Sequence, residues 1–508
     1  MLQDRLKTLW RWLTTKKPKA LLFPPVEFTE ELRMREPKPD ELALGIASFR
    51  NEEEGKIIYQ QKGVAQETRG RHFYIVGATG SGKTKFLETL LYQDIKNGLG
   101  FGIVDPHGDL TEDIEGYLYL LKGKTSDFLQ ESVVLIDPTD KNNTVTFNPL
   151  EQTTGESPAR VASELTEAFK KIWKDAWGAR MEDLLKNTLI ALIENNLTLA
   201  ELRLFLTNPQ VRQKVLEKVN HDVCREYFEQ FNSLPRNKQN EWMESTLNKV
   251  DAFVFDPDIR QMLASPKSSF NLREVMDEGK ILLVKLDKGR LKGNADLLGS
   301  LLLAKIQAAA FSRTDILESE RRNFYLYIDE FQNFATESFI TMLSEARKYR
   351  LALTLAHQQL AQLPTPLRAA ILSNCRLQAY FQISRDDSNL LAKESLVPIY
   401  NDPPGWEWYI QQLQELGDRQ CVIKNKNDGG VIAVETLGLP PPYEAAGIGE
   451  REFATEVAEA GIGQKYLRDR KIIEEEYQAR REELTKTEEE KSFRETKNKP
   501  PAVNKVRT

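Results

Sequence analysis

The eight residues Gly77-Ala78-Thr79-Gly80-Ser81-Gly82-Lys83-Thr84 constrain the fold of this chain more than any other segment. They match G-x-x-x-x-G-K-[ST], a loop whose glycines let backbone N–H groups turn inward toward phosphate oxygens. Such a loop works only between a strand and a helix, because the helix must point its positive end at the anion. Both flanks are present. His72-Phe73-Tyr74-Ile75-Val76 is a short apolar run before it, and Lys83 to Lys96 has helical spacing with Asn97-Gly98 as a stop. The expected ligand is ATP with Mg²⁺. Lys83 is expected to reach the β- and γ-phosphates, and the Thr84 hydroxyl to ligate the metal.

A second element is expected at the tip of another strand. Phe324-Tyr325-Leu326-Tyr327-Ile328-Asp329-Glu330 is an apolar run ending in two carboxylates. Asp329 is placed to hold the magnesium shell and Glu330 to polarise an attacking water. The pair favours hydrolysis over mere nucleotide binding. About 240 residues separate the two motifs, too many for a small nucleotide kinase or GTPase.

The rest of the chain fits an α/β protein. Apolar runs at Phe101–Val104, Val133–Ile136, Ile281–Leu286, Phe324–Ile328, Leu351–Leu355, Leu377–Ile383 and Val431–Val434 read as strands, with helices at Leu298–Phe311 and Ser338–Tyr349. Strand, helix, strand in this order predicts a mainly parallel sheet covered by helices. Residues 156–270 show helical periodicity without convincing strands and read as an all-helical insertion. The organisation expected is an N-terminal region over 1–65, with short strands at Leu42–Phe49 and Gly55–Tyr59 around the Asn51–Glu54 turn. An ATPase domain follows in two parts, 66–155 and 271–438, around the insertion. A charged, partly helical or disordered tail occupies 439–508.

Composition excludes several classes. With 508 residues, 40% hydrophobic and 29% charged, the chain reads as a globular protein of two or three domains. Cys224, Cys375 and Cys421 stand far apart, with no CxxC pair, so neither a disulfide framework nor a Cys-based metal site is expected. No run of about 20 apolar residues is evident, so no transmembrane helix is expected. The net charge of −6 argues against coating nucleic acid by overall charge, but not against a local basic channel. The segment Leu6–Phe23 mixes Trp10, Trp12 and leucines with lysines and arginines. Two readings stand for it: a helix lying on an anionic membrane surface, or an amphipathic helix packed on protein. The expected location is cytoplasmic, with peripheral contact at the inner face of the membrane under the first reading.

Several runs resemble one family. Gly102-Ile103-Val104-Asp105-Pro106-His107-Gly108-Asp109-Leu110, Ile328-Asp329-Glu330-Phe331-Gln332-Asn333-Phe334, Ser344-Glu345-Ala346-Arg347-Lys348-Tyr349-Arg350 and Thr354-Leu355-Ala356-His357-Gln358-Gln359-Leu360 look like segments of conjugative coupling ATPases. These are the TraG/TraD-like coupling proteins of type IV secretion, relatives of the FtsK/HerA DNA-pumping motors. Asp175 to Asp183 resembles the start of their all-helical domain. The resemblance runs from about 70 to 436. It implies a RecA-like P-loop NTPase core with an all-helical inserted domain, assembled as a homo-hexameric ring around DNA. It implies ATP-driven DNA translocation toward a secretion channel, with relaxase and channel proteins as partners. Carried over by position, Gln358 becomes the γ-phosphate sensor and Arg347 the arginine finger offered to a neighbouring subunit, with Lys348 and Arg350 as competitors. Asp105 is expected near the magnesium and His107 in the turn beside it. Lys285, Lys288, Arg290 and Lys292 are candidates for DNA contact. Better-known members carry N-terminal transmembrane helices, and this chain shows none. Two alternatives remain open: a HerA-like helicase or translocase for repair or segregation, and an ATP-switched adaptor recruiting protein substrates.

Overall fold

A computed structural model describes residues 41–50, 57–123, 126–152, 155–174, 177–336, 338–393, 403–427 and 430–486. The Leu6–Phe23 segment, the Asn51–Glu54 turn and the last residues of the chain lie outside these. The chain folds into two compact units. The first takes in residues up to Leu135, Leu272–Gly289 and Ala309–Gln464. The second takes in Ile136–Asn271, Arg290–Ala308 and the residues from Lys465 on.

The first unit is built on an 11-stranded sheet. Its strands are β1 (Glu41–Arg50), β2 (Ile57–Ala65), β3 (Phe73–Val76), β4 (Phe101–Asp105), β5 (Val133–Ile136), β7 (Ile281–Lys285), β8 (Phe324–Ile328), β9 (Leu351–His357), β10 (Leu377–Tyr380), β11 (Gln420–Asn425) and β12 (Gly430–Glu435). A short β6 (Asn143–Thr144) pairs with β13 (Arg468–Asp469) in the second unit. The sheet order is β2-β1-β12-β11-β10-β3-β9-β8-β4-β7-β5. From β10 to β7 every pairing is parallel. The strands β3, β4, β8 and β9 are buried along their whole length, as interior parallel strands covered on both faces must be. Register aligns Val76 with His357 and Ile328 with Leu355. The carboxyl ends of β3, β9 and β8 therefore lie side by side, where ligand sites gather in such sheets.

The other half of the sheet is antiparallel. The β1–β2 hairpin joins through Ile46 opposite Glu435, and β10, β11 and β12 form a meander. Residues 41–65 thus extend the same sheet as the parallel core. Gly45 sits where a Cβ would lie 2.4 Å from the Glu435 carbonyl oxygen, so only glycine allows this junction. Strand β11 escaped the sequence reading, and β2 runs through Gln60, Gln61 and Lys62, polar residues suited to an edge. The region read as one helix over Ser338–Tyr349 divides. An α-helix ends at Glu345, a 3₁₀ turn spans Ala346–Tyr349, and Arg350 closes it in the left-handed conformation. The run Leu377–Ile383 leaves the sheet after Tyr380, and Ser384 then caps the helix Arg385–Leu391.

One buried ion pair ties this unit together. The Arg69 guanidinium meets both oxygens of Asp94 and the Tyr327 hydroxyl, with its charged carbon 3.7 Å from the Tyr325 ring centre. Burial alone would discourage the charge, and Asp94 more than offsets it, holding the guanidinium pKa above its ordinary value. Asp94 lies on α1 (Lys83–Lys96), and the two tyrosines on β8.

The second unit is mainly helical. Pro158–Ile172, Ala179–Glu194, Asp222–Ser233 and Arg236–Val254 are its longer helices between residues 156 and 270. Three helices start with an oxygen cap followed by proline at the first turn: Ser157-Pro158, Asn208-Pro209 and Asp256-Pro257. The helix Arg470–Thr485 belongs here as well. Arg470 donates to the Pro138 carbonyl and Gln261, and Arg480 pairs with buried Glu201. Among the described residues, one stretch, Gly293–Asp315, is long and apolar enough to cross a membrane by length and composition. Of its most apolar window, 78% is buried within the protein.

Two stability predictions follow from these buried charges. Asp94→Asn strands the Arg69 charge and should cost about 3–5 kcal/mol, read as a lower urea midpoint. His72, at a φ of 66° and buried, accepts a hydrogen bond at Nδ1 from the Leu353 amide, and burial pushes its pKa down to about 4. The unfolded chain takes up a proton near pH 6.5 and the folded chain does so only near 4. Stability is therefore full above about pH 6.5 and falls by about 3 kcal/mol on descending to pH 4. His72→Asn keeps an acceptor at the same position and tolerates positive φ. It should flatten that part of the pH–stability curve.

Candidate active site

The phosphate-type loop forms between β3 and α1. Its entry is tied to the sheet: the Gly77 amide donates to the His357 carbonyl at 3.3 Å and the Ala78 amide to Gln382 at 2.7 Å. A Cβ on Gly77 would stand 2.5 Å from the Phe381 Cβ, which fixes glycine there. Gly80 and Gly82 hold φ of 81° and 99°, a region other residues rarely enter. Thr79 and Gly80 are exposed at the crown of the loop. Ser81 closes the turn from its hydroxyl to the Ala78 carbonyl at 2.8 Å. Arg419 backs the loop by donating its amide to Ser81, close against Gly82. Among the described residues, the amides of Thr79, Gly80, Gly82, Lys83 and Thr84 have no acceptor. These are the donors that an anion at a helix start takes up.

Lys83 folds back over this cradle. Its Nζ donates to the carbonyls of Gly77 at 2.7 Å and Ala78 at 3.0 Å. Burial lowers its pKa, while Glu330 and Asp329 oppose the shift. Asp329 directly follows β8 and is buried, and its Oδ2 lies 3.5 Å from the Thr84 hydroxyl. Burial, then the charges of Glu330 and Asp105, push its carboxyl up to about 6. A crowded acid of this kind is relieved by a cation. Thr84 and Asp329 offer the hard oxygen donors that magnesium prefers. No protein-only cluster of three or more acidic, histidine or cysteine ligands exists among the described residues. Magnesium is commonly held by one or two side chains together with phosphate oxygens and water, a set to which Thr84 and Asp329 are suited.

Glu330 follows at a φ of 45°, a left-handed backbone that turns its side chain away from the strand. Its Oε1 accepts from Gln358 Nε2 at 2.7 Å and its Oε2 from Gln332 Nε2 at 2.6 Å. Gln358 directly follows β9, so the structure brings it to the carboxylate named as candidate base. Asp105 is buried, but both its oxygens are occupied, by the amides of His107 and Thr111 at 2.9 Å each. It orders the start of α2 (Asp109–Lys122), and only its charge reaches Asp329. The His107 side chain is exposed, and its backbone amide makes that contact.

Arg347 stands elsewhere. It is exposed in the 3₁₀ turn before β9, and the 7 residues of β9 separate it from Gln358. At about 3.3 Å per residue that is about 23 Å, beyond the reach of any arginine to its own loop. Lys348 is exposed in the same turn, and Arg350 closes it. Of the proposed DNA-contact residues, Lys285 pairs with Glu112 and Arg290 with Asp258, each at 2.8 Å. Lys288 is half-buried, with its amide on the Pro106 carbonyl, and Lys292 is exposed at a φ of 54°.

The sequence reading missed Gln332, although its run was in view: two residues after the Asp-Glu pair it lacks any spacing signature. It also missed His357, buried and bonded to the Tyr74 hydroxyl at 2.6 Å, and Arg419 behind the loop.

Comparison with known proteins identifies the family and the fold. The family model described as "Type IV secretion-system coupling protein DNA-binding domain" matches residues 62–396. The chain belongs to this family. No curated protein sequence matches it. Among solved structures, it is similar to the plasmid coupling protein TrwB in complex with a non-hydrolysable ATP analogue, at 17% identity and a TM-score of 0.52, covering 74% of this chain and 87% of that one. At this identity the likeness shows the P-loop NTPase fold. VirB4 of Thermoanaerobacter pseudethanolicus is also similar, at 16% identity and a TM-score of 0.48, covering 73% of this chain and 90% of that one.

Removal of the Lys83 ammonium is expected to be decisive. Lys83→Ala should weaken binding of a fluorescent ATP analogue by at least about tenfold, since it deletes the charge facing the phosphates. The fold should survive, with an unchanged circular-dichroism spectrum.

Proposed function

We propose that this coupling-family NTPase hydrolyses ATP with Mg²⁺ and uses the energy to move DNA through a homo-hexameric ring toward a conjugation or type IV secretion channel. The observation that supports it best is the Glu330 carboxylate, held by Gln358 beside the Asp329–Thr84 pair. A nucleotide-binding switch has no use for a base fixed there.

In this reading the free amides of the loop and Lys83 bind the phosphates, while Thr84 and Asp329 hold the metal. The metal, when bound, neutralises charge on the phosphates. Glu330 orients water and accepts its proton. Gln358, with a second N–H to spare, senses the γ-phosphate. Arg347, unable to reach its own loop, serves a neighbouring subunit's site, which makes hydrolysis depend on ring assembly. Lys292, exposed at a φ of 54°, is proposed for phosphate contact with DNA. A relaxase and channel proteins are the expected partners, at the cytoplasmic face of the membrane.

The test is the ATPase rate with and without single- and double-stranded DNA. Wild type should be stimulated by DNA, Lys83→Ala should be inactive, and Arg347→Ala should lose about 10³-fold or more in kcat while retaining ATP affinity. An Arg347→Ala subunit should regain turnover when mixed with Lys83→Ala subunits, since each repairs a different half-site. Hydrolysis indifferent to DNA would exclude the motor reading and leave an ATP-switched adaptor.

A further inference from the structure

The Glu330 carboxylate makes two hydrogen bonds to side chains, and only the one from Gln358 has a role in the reading above. The second comes from Gln332, two residues along the chain, at 2.6 Å. A carboxylate oxygen only accepts, so Gln332 must present its NH₂ group to it. The donor's backbone is fixed. It sits in the 3₁₀ turn Phe331–Asn333, whose Asn333 amide donates to the Glu330 carbonyl at 2.9 Å. Phe331 is fully buried, with ring contacts to Phe339 at 5.9 Å and His357 at 5.5 Å.

We infer that Gln332 is a positioning residue for hydrolysis, locking the plane of the Glu330 carboxylate from the side opposite Gln358; this rests on the reading of Glu330 as the base. A glutamate side chain has several rotatable bonds and left alone would populate many orientations. One amide on each oxygen removes that freedom. Each oxygen keeps a further lone pair, so water can still be bound and its proton accepted. Both donors are neutral. They orient the carboxylate without quenching its charge as a lysine or arginine would. Gln358 is one link from β9 and the candidate sensor position, whereas Gln332 is carried by β8 and its own turn. The base is thereby referenced to two adjacent strands.

The test uses the full chain and the variants Gln332→Met, Glu330→Gln and the double variant. Methionine matches glutamine in length and removes the donor. Steady-state kcat and KM, ATP-analogue affinity, single-turnover rates and melting temperature are measured for each. Gln332→Met should lower kcat by about tenfold to a hundredfold, with KM and ATP affinity unchanged. In the Glu330→Gln background the same change should have no further effect on the single-turnover rate, because the group it positions is gone. An unaltered kcat in Gln332→Met, with Glu330→Gln inactive, would overturn this inference alone. An equal loss in both backgrounds, or loss of ATP affinity in parallel with kcat, would assign Gln332 a purely structural part and overturn it too. Wild-type turnover in Glu330→Gln would instead remove Glu330 as the base, and this inference with it.

Discussion

The Arg69–Asp94 ion pair is the interaction on which the geometry of the first unit depends. It joins the end of a four-residue helix before β3, the body of α1 and the β8 tyrosines in one buried contact. The phosphate-type loop opens α1, and β8 leads directly into Asp329. The pair therefore fixes the relation between the loop and the acidic tip from beneath, away from the nucleotide site. A buried pair of this kind adds little net stability, because desolvating two charges cancels most of their attraction. Its value here is specificity: α1 has one azimuth on the sheet at which Asp94 meets Arg69. That azimuth also brings Thr84 within 3.5 Å of Asp329.

The site is assembled from the ends of neighbouring parallel strands. β3 supplies the loop, β8 the two acids and β9 the glutamine, and their carboxyl ends are aligned by register rather than by loop packing. The antiparallel half contributes support. Through Arg419 the start of β11 holds Ser81, so the meander and the β1–β2 hairpin buttress the loop from behind. Arg347 lies at the other end of β9, about a strand's length away. One strand thus carries Gln358 at its exit and a cation at its entrance, the separation that the proposed sharing of a site between subunits calls for.

Much of this was legible in the sequence because it is carried by local pattern. A fully buried parallel strand is a continuous apolar run, so β3, β4, β8 and β9 stood out, and the glycine spacing placed the loop between two of the correct elements. Residues 156–270 read as helical, and the structure shows helices there. What could not be read was set by distance or by polarity. Asp94 and Arg69 are 25 positions apart and Tyr327 a further 233 beyond Asp94, and no periodicity links them. The start of β2 was read as a strand, but its continuation through Gln60, Gln61 and Lys62 is polar because it borders the sheet edge, and β11 begins in a charged turn. The break at Ala346–Tyr349 hides inside a helical pattern, since a 3₁₀ turn keeps nearly the same spacing of apolar residues. Lys285 and Arg290 looked like one basic loop, yet each is paired with a carboxylate distant in sequence.

The left-handed backbone at Glu330 has an evolutionary consequence. A γ-extended, charged residue is a poor occupant of that conformation, whereas glycine or asparagine would sit there with less strain. Glutamate occupies the position against its own conformational preference, and under the proposed hydrolysis the chemistry of its carboxylate is the reason to keep it there. Where nucleotide binding alone sufficed, glycine or asparagine here would relieve the strain at no functional cost. Under the proposed hydrolysis, residue 330 would then mark the difference between a chain that turns over nucleotide and one that only binds it.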